Sequence, residues 1–508
     1  MNSTIAVYHI PKRRMTANDN FSACHAGYVA KTMHFALYPQ AMPQALQGVW
    51  GSKLPHKKTT TRFSLKKLHL ISLGCSKTRV DSEVMLGLLQ RHGWTLTPDP
   101  ASADAILVNT CAFLQSSIEE SIDVILECAA EKKRGRRTGR RKRLVVAGCL
   151  TSRFQNEMED LKASLPEVDA FLTTHQLPDI LRAIEQIPPN PDEDYFLARQ
   201  LAAPQSYAYL KISEGCNRRC SFCTIPLIRG RQISRPIPSL VQEAQNLAEG
   251  GVRELVLVAQ ELTGYGTDIS LKDGLLHLLD ALENIHGIAW IRLLYAYPWN
   301  FPPTLIQRLG QGKILPYVDI PLQHISQHIL DDMRRSVTQD TQDKLLRQLR
   351  EVPGMTLRTS LIAGYPGETE KDVQTLIDWL EDIQFDRLGV FEFSPEPGTL
   401  AGDRPDQCPP EVRRERRDRI MAAQQAIHAR KMAQKLGETL EILVDGPSPE
   451  HPLVLEGRYH GQAPEVDGQV YLSYEYSDQE PAKIGDFVKV KIVDTTDYDL
   501  LGDVIDEE

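Results

Sequence analysis

The stretch KISEGCNRRCSFCTIPLIRGR, residues 211–231, places Cys216, Cys220 and Cys223 in the spacing C-x3-C-x2-C. It grows directly out of AYLKI (208–212), an apolar run that reads as a strand. Five more strand candidates follow: ELVLVA (254–259), WIRLLYA (290–296), YVDIPL (317–322), LRTSLIAG (357–364) and RLGVFEF (387–393). Helical patterns lie between them, among them LLHLLDALENI (275–285) and DVQTLIDWLEDI (372–383). Six βα units in about 200 residues predict a barrel or partial barrel of parallel strands. Active sites in such barrels lie at the C-terminal strand ends, which is where the cysteine loop falls.

Three thiolates on one tight loop suit a metal cluster. A closed structural zinc or iron–sulfur site takes four ligands, and no fourth Cys or His lies near this loop. In a [4Fe-4S] cluster one iron would then stay open, the mark of a catalytic site. Phe222, between the last two cysteines, would limit solvent access. The competing reading is a zinc site completed by a distant His. Nine cysteines in 508 residues are too few for a disulfide scaffold.

Upstream, LHLISLGC (68–75), DAILVNTC (104–111), RLVVAGC (143–149) and DAFLTT (169–174) read as strands, with helices over 80–93 and 117–132. The alternation predicts an open parallel α/β sheet. Cys75, Cys111 and Cys149 each follow one of its strands. Parallel strands bring their carboxyl ends to one edge, where ligands bind, so the three cysteines are expected to converge on a metal. Cys128, inside a helical pattern, reads as a buried core thiol. Cys24 and Cys408 have no assigned role.

The remaining segments set the boundaries. Residues 1–65 lack sustained periodicity and are expected to be a disordered extension or the product of a misassigned start. The first 67 residues hold ten Lys/Arg and one acidic residue, Asp19. Lys132–Arg143 carries nine Lys/Arg in twelve residues and is expected to be a solvated loop. Nucleic-acid contact through it is the less favoured reading. IPPNPDED (187–194) reads as a linker, DRPDQCPP (403–410) as a break, and 411–436 as a charged helix. From Thr439 short β-type runs between Gly/Pro turns predict a small antiparallel β-barrel. That tail holds seventeen Asp/Glu against four Lys/Arg, so the overall formal charge of −9 conceals a strongly acidic module. The expected units are 66–182, 202–437 and 438–506. With 42% hydrophobic and 25% charged residues the chain is globular, and no apolar run reaches the roughly 18 residues that span a bilayer. A cytoplasmic location with no membrane association is expected.

The C-x3-C-x2-C loop resembles the signature of the radical S-adenosylmethionine enzymes. In that superfamily the open iron binds S-adenosylmethionine, whose reductive cleavage gives a 5′-deoxyadenosyl radical. LIAGYPGETE (361–370) resembles the later strand-to-loop segment near that cofactor, which makes Gly364 and Gly367 candidates for close backbone approach. Gln260, in AQELTGYG (259–266), is a further candidate cofactor contact. Ordinary turn roles are the competing reading for these glycines.

With the dispersed cysteines and the β tail, residues 68 to about 506 resemble the methylthiotransferase family, which has a cluster domain, a radical S-adenosylmethionine barrel and a TRAM domain. The resemblance implies two [4Fe-4S] clusters, one on Cys216, Cys220 and Cys223 and one on Cys75, Cys111 and Cys149. GCSKTRVDSE (74–83), NTCAFLQSSIEESI (109–122), RLLYAYPW (292–299) and DIPLQHIS (319–326) are similar to the ribosomal-protein branch, although Lys77-Thr78 departs from the Lys-Asn pair of that pattern. The activity implied is methylthio transfer to the β-carbon of an aspartate in ribosomal small-subunit protein twelve, with an external electron donor. An acidic TRAM module would repel phosphate and hold a basic protein. The alternatives are the same chemistry on a transfer RNA adenosine, and a non-catalytic iron–sulfur carrier or sensor. Tyr295 and His324 lie near strand ends, where cavity-facing and core roles are both open.

Overall fold

In the computed structural model the described residues are 66–137, 141–449, 453–474 and 480–505. The expectation for residues 1–65 lies outside them. The first domain comprises β1 (Lys66–Ser72), α1 (Ser76–Arg91), β2 (Trp94–Leu96), β3 (Ala105–Thr110), α2 (Gln115–Arg137), β4 (Arg143–Gly148), α3 (Cys149–Arg153), α4 (Met158–Ser164), β5 (Ala170–Leu172) and α5 (Ile180–Glu185). All its strand pairs are parallel, in the order β2-β1-β3-β4-β5. Central β3, AILVNT, is buried along its whole length, as a strand covered by helices on both faces must be. The short strand β2 was not anticipated in the sequence.

The central domain begins with β6 (Tyr207–Lys211), the ribbon β7 (Ser213–Glu214), α6 (Ile225–Ile228) and β8 (Ile233–Ser234), then α7 (Ile237–Glu249) and β9 (Glu254–Val258). It continues through α8 (Gly274–Glu283), β10 (Trp290–Leu293), α9 (Pro303–Arg308), β11 (Ile314–Asp319), α10 (Gln327–Asp332) and α11 (Gln339–Arg350). It closes with β12 (Thr356–Ala363), α12 (Glu370–Ile383), β13 (Arg387–Glu392) and α13 (Pro410–Ala433). The six long strands form one parallel sheet, β13-β12-β11-β10-β9-β6, whose end strands are not joined. This is the expected partial barrel.

The tail strands β14 (Thr439–Pro447), β15 (Leu455–Arg458), β16 (Val470–Ser473), β17 (Phe487–Thr495) and β18 (Leu500–Val504) close into a barrel ordered β14-β15-β16-β18-β17. The expectation of a purely antiparallel barrel is corrected at one seam, where β16 and β18 run parallel. An odd number of strands cannot alternate direction all the way round, so closing five forces one parallel pair. Strand β18 was missed in the sequence.

Two further expectations are corrected. The basic interval 132–143 is not a free loop: α2 runs on to Arg137, and only 138–140 fall outside the described residues. Lys and Arg are good helix formers and suit a helix C-terminus. Lys132 is buried on Asp169 at 2.5 Å, and Lys142 is buried with its ammonium on the carbonyls of Pro100 and Ala101. The linker at 187–194 is likewise docked. Arg91 pairs with Glu193 at 2.6 Å, and the following Arg199 is buried between Glu83 at 2.6 Å and Glu243 at 2.7 Å, one on each flanking domain.

Helix α1 lies between the sheet and the barrel and is buried from Lys77 to Leu89. Its polar first turns carry the junction: Arg79 pairs with Glu83 and Glu465, and Asp81 with Lys211 and Arg229. The segment between β15 and β16 enters the opposite, N-terminal mouth of the central barrel. There Arg458 meets Glu254 at 2.6 Å, Arg292 donates to the His460 carbonyl at 2.6 Å, and Tyr317 donates to Asp467 at 2.7 Å. Asp445, Glu465 and Asp467 therefore pair with buried cations, Glu465 from an exposed position. Among the described residues no helix is long and apolar enough to cross a membrane.

Candidate functional site

The strand order of the first sheet reverses between β1 and β3, and in open α/β sheets ligands bind beyond the strand ends at such a point. Cys75 and Cys111 flank that crevice. A Cβ added at Gly74 would lie 3.3 Å from the Cys111 sulfur, so the two cysteine loops are in contact. Cys149 opens α3 from Gly148, whose φ of 96° is natural only to glycine and whose added Cβ would strike the Asn109 side chain and the Thr110 carbonyl. The three thiols sense one another's charge.

Their environments differ. Burial pushes the Cys75 thiol up, but Lys77, Arg229 and the backbone N–H groups of Thr78 and Lys77 outweigh it and hold the thiol below its ordinary value. Cys75 caps the α1 N-terminus, a setting that favours a thiolate. Burial pushes Cys149 up to about 12 and also raises Cys111, with Cys75 adding to the latter. Three thiolates crowded in low dielectric need a cation, and metal binding would release their protons.

The loop Cys216–Cys223 lies past β6, at the C-terminal mouth of the barrel. Cys216 N donates to the Gly230 carbonyl at 3.1 Å, Ser221 N to Met333 O at 3.1 Å, and Ala401 N to Ser221 O at 2.9 Å. Ser221 also shares a 2.8 Å hydrogen bond with Tyr365, and Thr224 donates to the Phe113 carbonyl at 3.0 Å. Arg218 pairs with Glu261 at 3.2 Å and lies over Tyr297 and Trp299, at 4.2 and 4.9 Å from the ring centroids. Arg335 points at the Cys220 sulfur from 3.7 Å. The loop is thus held from every strand end around it. Burial pushes Cys216 up to about 11 and Cys223 up to about 12.

Among the described residues no three His, Cys, Asp or Glu side chains close on a single ion. A four-iron cluster takes each thiolate on a different iron and needs no such closure. The sulfur-only donor set fits a cluster better than a mononuclear zinc.

Arg229 joins the two cysteine sets. It lies past Cys223, yet its guanidinium donates to the Cys149 sulfur at 3.3 Å, to Asp81 at 3.3 Å and to Glu214 at 2.8 Å. Glu214 also accepts from Lys211 at 2.6 Å and from Gln260 at 2.9 Å. Burial raises the Glu214 carboxyl, but Arg229 and Lys211 more than reverse this and hold it far below the usual carboxylate range.

Of the other candidates, Gln260 reaches this junction, and its buried Oε1 has no hydrogen-bond partner, which leaves an acceptor free for a ligand donor. Gly364 has φ 74° and Gly367 φ 86°. A Cβ at Gly364 would strike Arg413 of α13, and one at Gly367 would come 3.5 Å from Arg404. His324 is fully buried, accepts from Ser326 N at 2.9 Å, and faces Glu368 at 3.5 Å. Tyr295 turns its ring beneath the Lys77 ammonium, 2.9 Å from the centroid. Phe222 packs beside Ile329, Met333, Tyr365 and Phe393, so it anchors the loop. Cys128 is buried, as expected, and burial pushes it up to about 12. Cys408 is 3.9 Å from Arg416. Cys24 lies outside the described residues.

Sequence reasoning missed Lys77, Asp81, Lys211, Glu214, Arg218, Arg229 and Arg335. The available signal was charge inside apolar elements, such as Lys211 at the end of AYLK and Asp81 in the first turns of α1.

Three family models match the chain: Uncharacterized protein family UPF0004 at residues 67–173, the Radical SAM superfamily at 210–380, and the TRAM domain at 436–505. A protein named ribosomal protein uS12 methylthiotransferase RimO, from Anaeromyxobacter sp. (strain Fw109-5), is 47% identical over 449 residues, covering 86% of this chain and 93% of that one. Proteins of the same name from Trichlorobacter lovleyi and Myxococcus xanthus are 44% and 45% identical, covering 88% and 87% of this chain and 100% and 92% of theirs. Among solved structures, the radical S-adenosylmethionine methyltransferase TsrM from Kitasatospora setae aligns with a TM-score of 0.48 at 16% identity, over 67% of this chain and 77% of that one.

Proposed function

The chain belongs to the ribosomal protein uS12 methylthiotransferase family, and from that premise we propose that it adds a methylthio group to the β-carbon of an aspartate side chain of ribosomal protein uS12. It is a radical S-adenosylmethionine enzyme, a transferase of sulfur-containing groups. An iron–sulfur cluster and S-adenosylmethionine supply the hydrogen-abstracting radical that an unactivated carbon requires and that no polar side chain provides. Cys216, Cys220 and Cys223 would hold that cluster. Cys75, Cys111 and Cys149 would hold a second one, the route by which sulfur enters.

The observation that carries this reading is Arg229. One side chain touches Cys149 on the first domain and Glu214 beside Cys216 on the second, so both cysteine sets border one junction. Transfer between two centres requires that their open sides share a space. Gln260 and the strand-end glycines Gly364 and Gly367 remain the cofactor contacts of this proposal. An external donor supplies the electron. The acids of the TRAM barrel not used internally, among them Asp486 and Asp503, offer a basic substrate protein a matching charge. The basic residues of 132–143 that stay exposed, such as Arg136, are not needed for RNA. Catalysis takes place where ribosomal proteins are, in the cytoplasm.

The test is anaerobic iron and sulfide quantitation on the wild type and on Cys75→Ala and Cys216→Ala, joined to mass analysis of uS12 from a deletion strain. Two clusters in the wild type, one in each variant, and uS12 lighter by one methylthio group in the deletion are expected. An unchanged iron content in Cys75→Ala would remove the second cluster. Unmodified transfer RNA with uS12 of unaltered mass would move the substrate to RNA.

A further inference from the structure

Lys77 is the second residue of α1, only 6% exposed, and its ammonium sits where the two cysteine sets meet. Its charged neighbours are Cys75, Arg229, Asp319 and Glu214. The carboxylates among them are already neutralised. Asp319 accepts from Arg358 at 3.0 Å and from Tyr295 N at 3.1 Å. Glu214 accepts from Arg229, Lys211 and Gln260, and the nearby Asp81 from Lys211 and Arg229. Among the described residues the Lys77 ammonium has no hydrogen-bond or ion-pair partner. It has only the face of the Tyr295 ring. Tyr295 holds that ring in place from a left-handed backbone, φ 65°, which a tyrosine adopts only under constraint.

The Cys75 thiolate beside Lys77 would give its charge to the cluster it holds, and an ammonium on a residue only 6% exposed, with no carboxylate of its own, then marks the place of a further anion that the chain does not itself supply. Cation–π contact lowers that cost without cancelling the charge. Arg229, Lys211 and Arg358 are committed to fixed carboxylates, and Lys77 is not. The proposed substrate brings one anion to this place: the carboxylate of the aspartate to be modified, one bond from its β-carbon. A cation gripping that carboxylate between the cysteine sets would aim the β-carbon at both.

We propose that Lys77 binds the side-chain carboxylate of the target aspartate and selects aspartate over asparagine. The proposal deepens the reaction proposed above and rests on it. Lys77 is a specificity-determining residue in this scheme. An asparagine would leave the ammonium buried and unpaired, and sites built on a buried polar pair reject the analogue that lacks one member.

The test uses anaerobically reconstituted full-length enzyme, as wild type, Lys77→Met and Lys77→Arg, with uS12 and with uS12 carrying asparagine at the modified position. Affinity for each form, iron content, the low-temperature electron paramagnetic resonance of the reduced clusters, and methylthio product are measured. The wild type should bind the aspartate form at least about 30-fold more tightly than the asparagine form. Lys77→Met should abolish that preference by weakening the aspartate form alone, with iron content and spectrum retained because Arg229 and the backbone N–H groups of residues 77 and 78 still favour the Cys75 thiolate. Lys77→Arg should keep much of the preference. Equal preference in Lys77→Met and wild type would overturn the proposal. So would a lost preference accompanied by lost iron or an altered spectrum, because Lys77 would then serve the cluster. A wild type that forms product but shows no preference overturns this proposal alone. A wild type that forms no product on uS12 overturns the underlying reaction, and this inference with it.

Discussion

The Arg229 guanidinium donates to the sulfur of Cys149 across 3.3 Å, although Cys149 follows a strand of the first domain and Arg229 follows the cysteine loop of the second. The same guanidinium contacts Asp81 and Glu214, and Lys211 bridges those two acids from the other side. Two cations and two anions thus form a closed buried set with the thiol at its edge. Burial works against the charge of Arg229, but Cys149, Glu214, Asp81 and Cys75 outweigh it, so its guanidinium stays charged.

Arg229→Gln should therefore cost more than a hydrogen bond. It leaves Asp81 and Glu214 sharing Lys211 alone in a dry interior. Removing one partner of a buried pair costs about 3–5 kcal/mol. Urea denaturation of the cluster-free protein should show a loss of that order, with Arg229→Lys intermediate because an ammonium cannot span three acceptors as the planar fork does. Iron retained by the Cys75 set should fall while that of the Cys216 set persists. A variant as stable as the wild type would show that Lys211 alone suffices.

Glu396 is the second strut between the domains. It is 1% exposed and accepts from Arg153 at 2.9 Å, from Gln115 N at 2.9 Å and from Ser394 at 2.8 Å. Arg153 and Gln115 flank the Cys149 and Cys111 ends of the first sheet. Glu396→Ala should shift that edge relative to the barrel without touching the Cys216 loop. Cleavage of S-adenosylmethionine should continue, while methylthio product per 5′-deoxyadenosine falls about tenfold or more, since small misplacements cost that much in transfer reactions. Parallel loss of both products would show that Glu396 supports the cysteine loop instead.

These struts also mark the limit of what the sequence made legible. All six barrel strands were legible because β6 and β9 to β13 are short apolar runs separated by amphipathic helices, a local pattern. Cys75, Cys111 and Cys149 were legible as a set because each follows a strand and parallel strands align their ends, and Cys216, Cys220 and Cys223 were legible from their spacing on one loop. The junction was not. SKTR, at the start of α1, is polar and reads as loop, so the helix was expected to start at Val80 rather than Ser76. Arg79 is polar there because it faces Glu465, a charged partner more than a hundred positions away. The sequence reports a residue's polarity, not its partner. The same holds for the acidic tail, where composition alone could not separate Asp467, buried against Tyr317 and Arg358, from acids at the surface.

Glu254 connects the barrel to the TRAM domain and gives a pH signature. It is fully buried between Arg292 at 2.5 Å and Arg458 at 2.6 Å. Burial raises its carboxyl, but the two guanidiniums outweigh this and set it below the ordinary value of 4.5. A depressed carboxyl stabilises the folded state above its unfolded value, and that contribution is lost as pH falls through the folded value. Glu254→Gln should lose about 3–5 kcal/mol at neutral pH. The gap to wild type should narrow as pH drops below 4.5, because protonation then does to the wild type what the substitution does to the variant. Urea midpoints from neutral pH to pH 3 measure this, and a constant gap would show that Glu254 is held by packing rather than charge.

Gly364 and Gly367 stand in one turn after β12 and both have positive φ, yet the structure separates their reasons for being glycine. A Cβ on Gly364 would run into the Arg413 side chain and approach its Cα within 2.9 Å, and α13 is tied to this turn by Arg416, which pairs with Glu368 at 3.0 Å. A Cβ on Gly367 would meet nothing nearer than the Arg404 guanidinium at 3.5 Å, the far end of a flexible side chain. Left-handed backbone costs an alanine roughly 1–2 kcal/mol at either place. Gly364→Ala adds a backbone clash and should be the more damaging, by about a further 1–3 kcal/mol, as overpacking usually is. Its damage should appear in the unfolding midpoint, with α13 the first segment to lose amide protection in hydrogen exchange. Gly367→Ala should instead keep most of the stability, so any loss of affinity for S-adenosylmethionine in that variant reads on the cofactor contact itself. The reverse order of stabilities would show that the turn after β12, and not its packing against Arg413, is what requires glycine there.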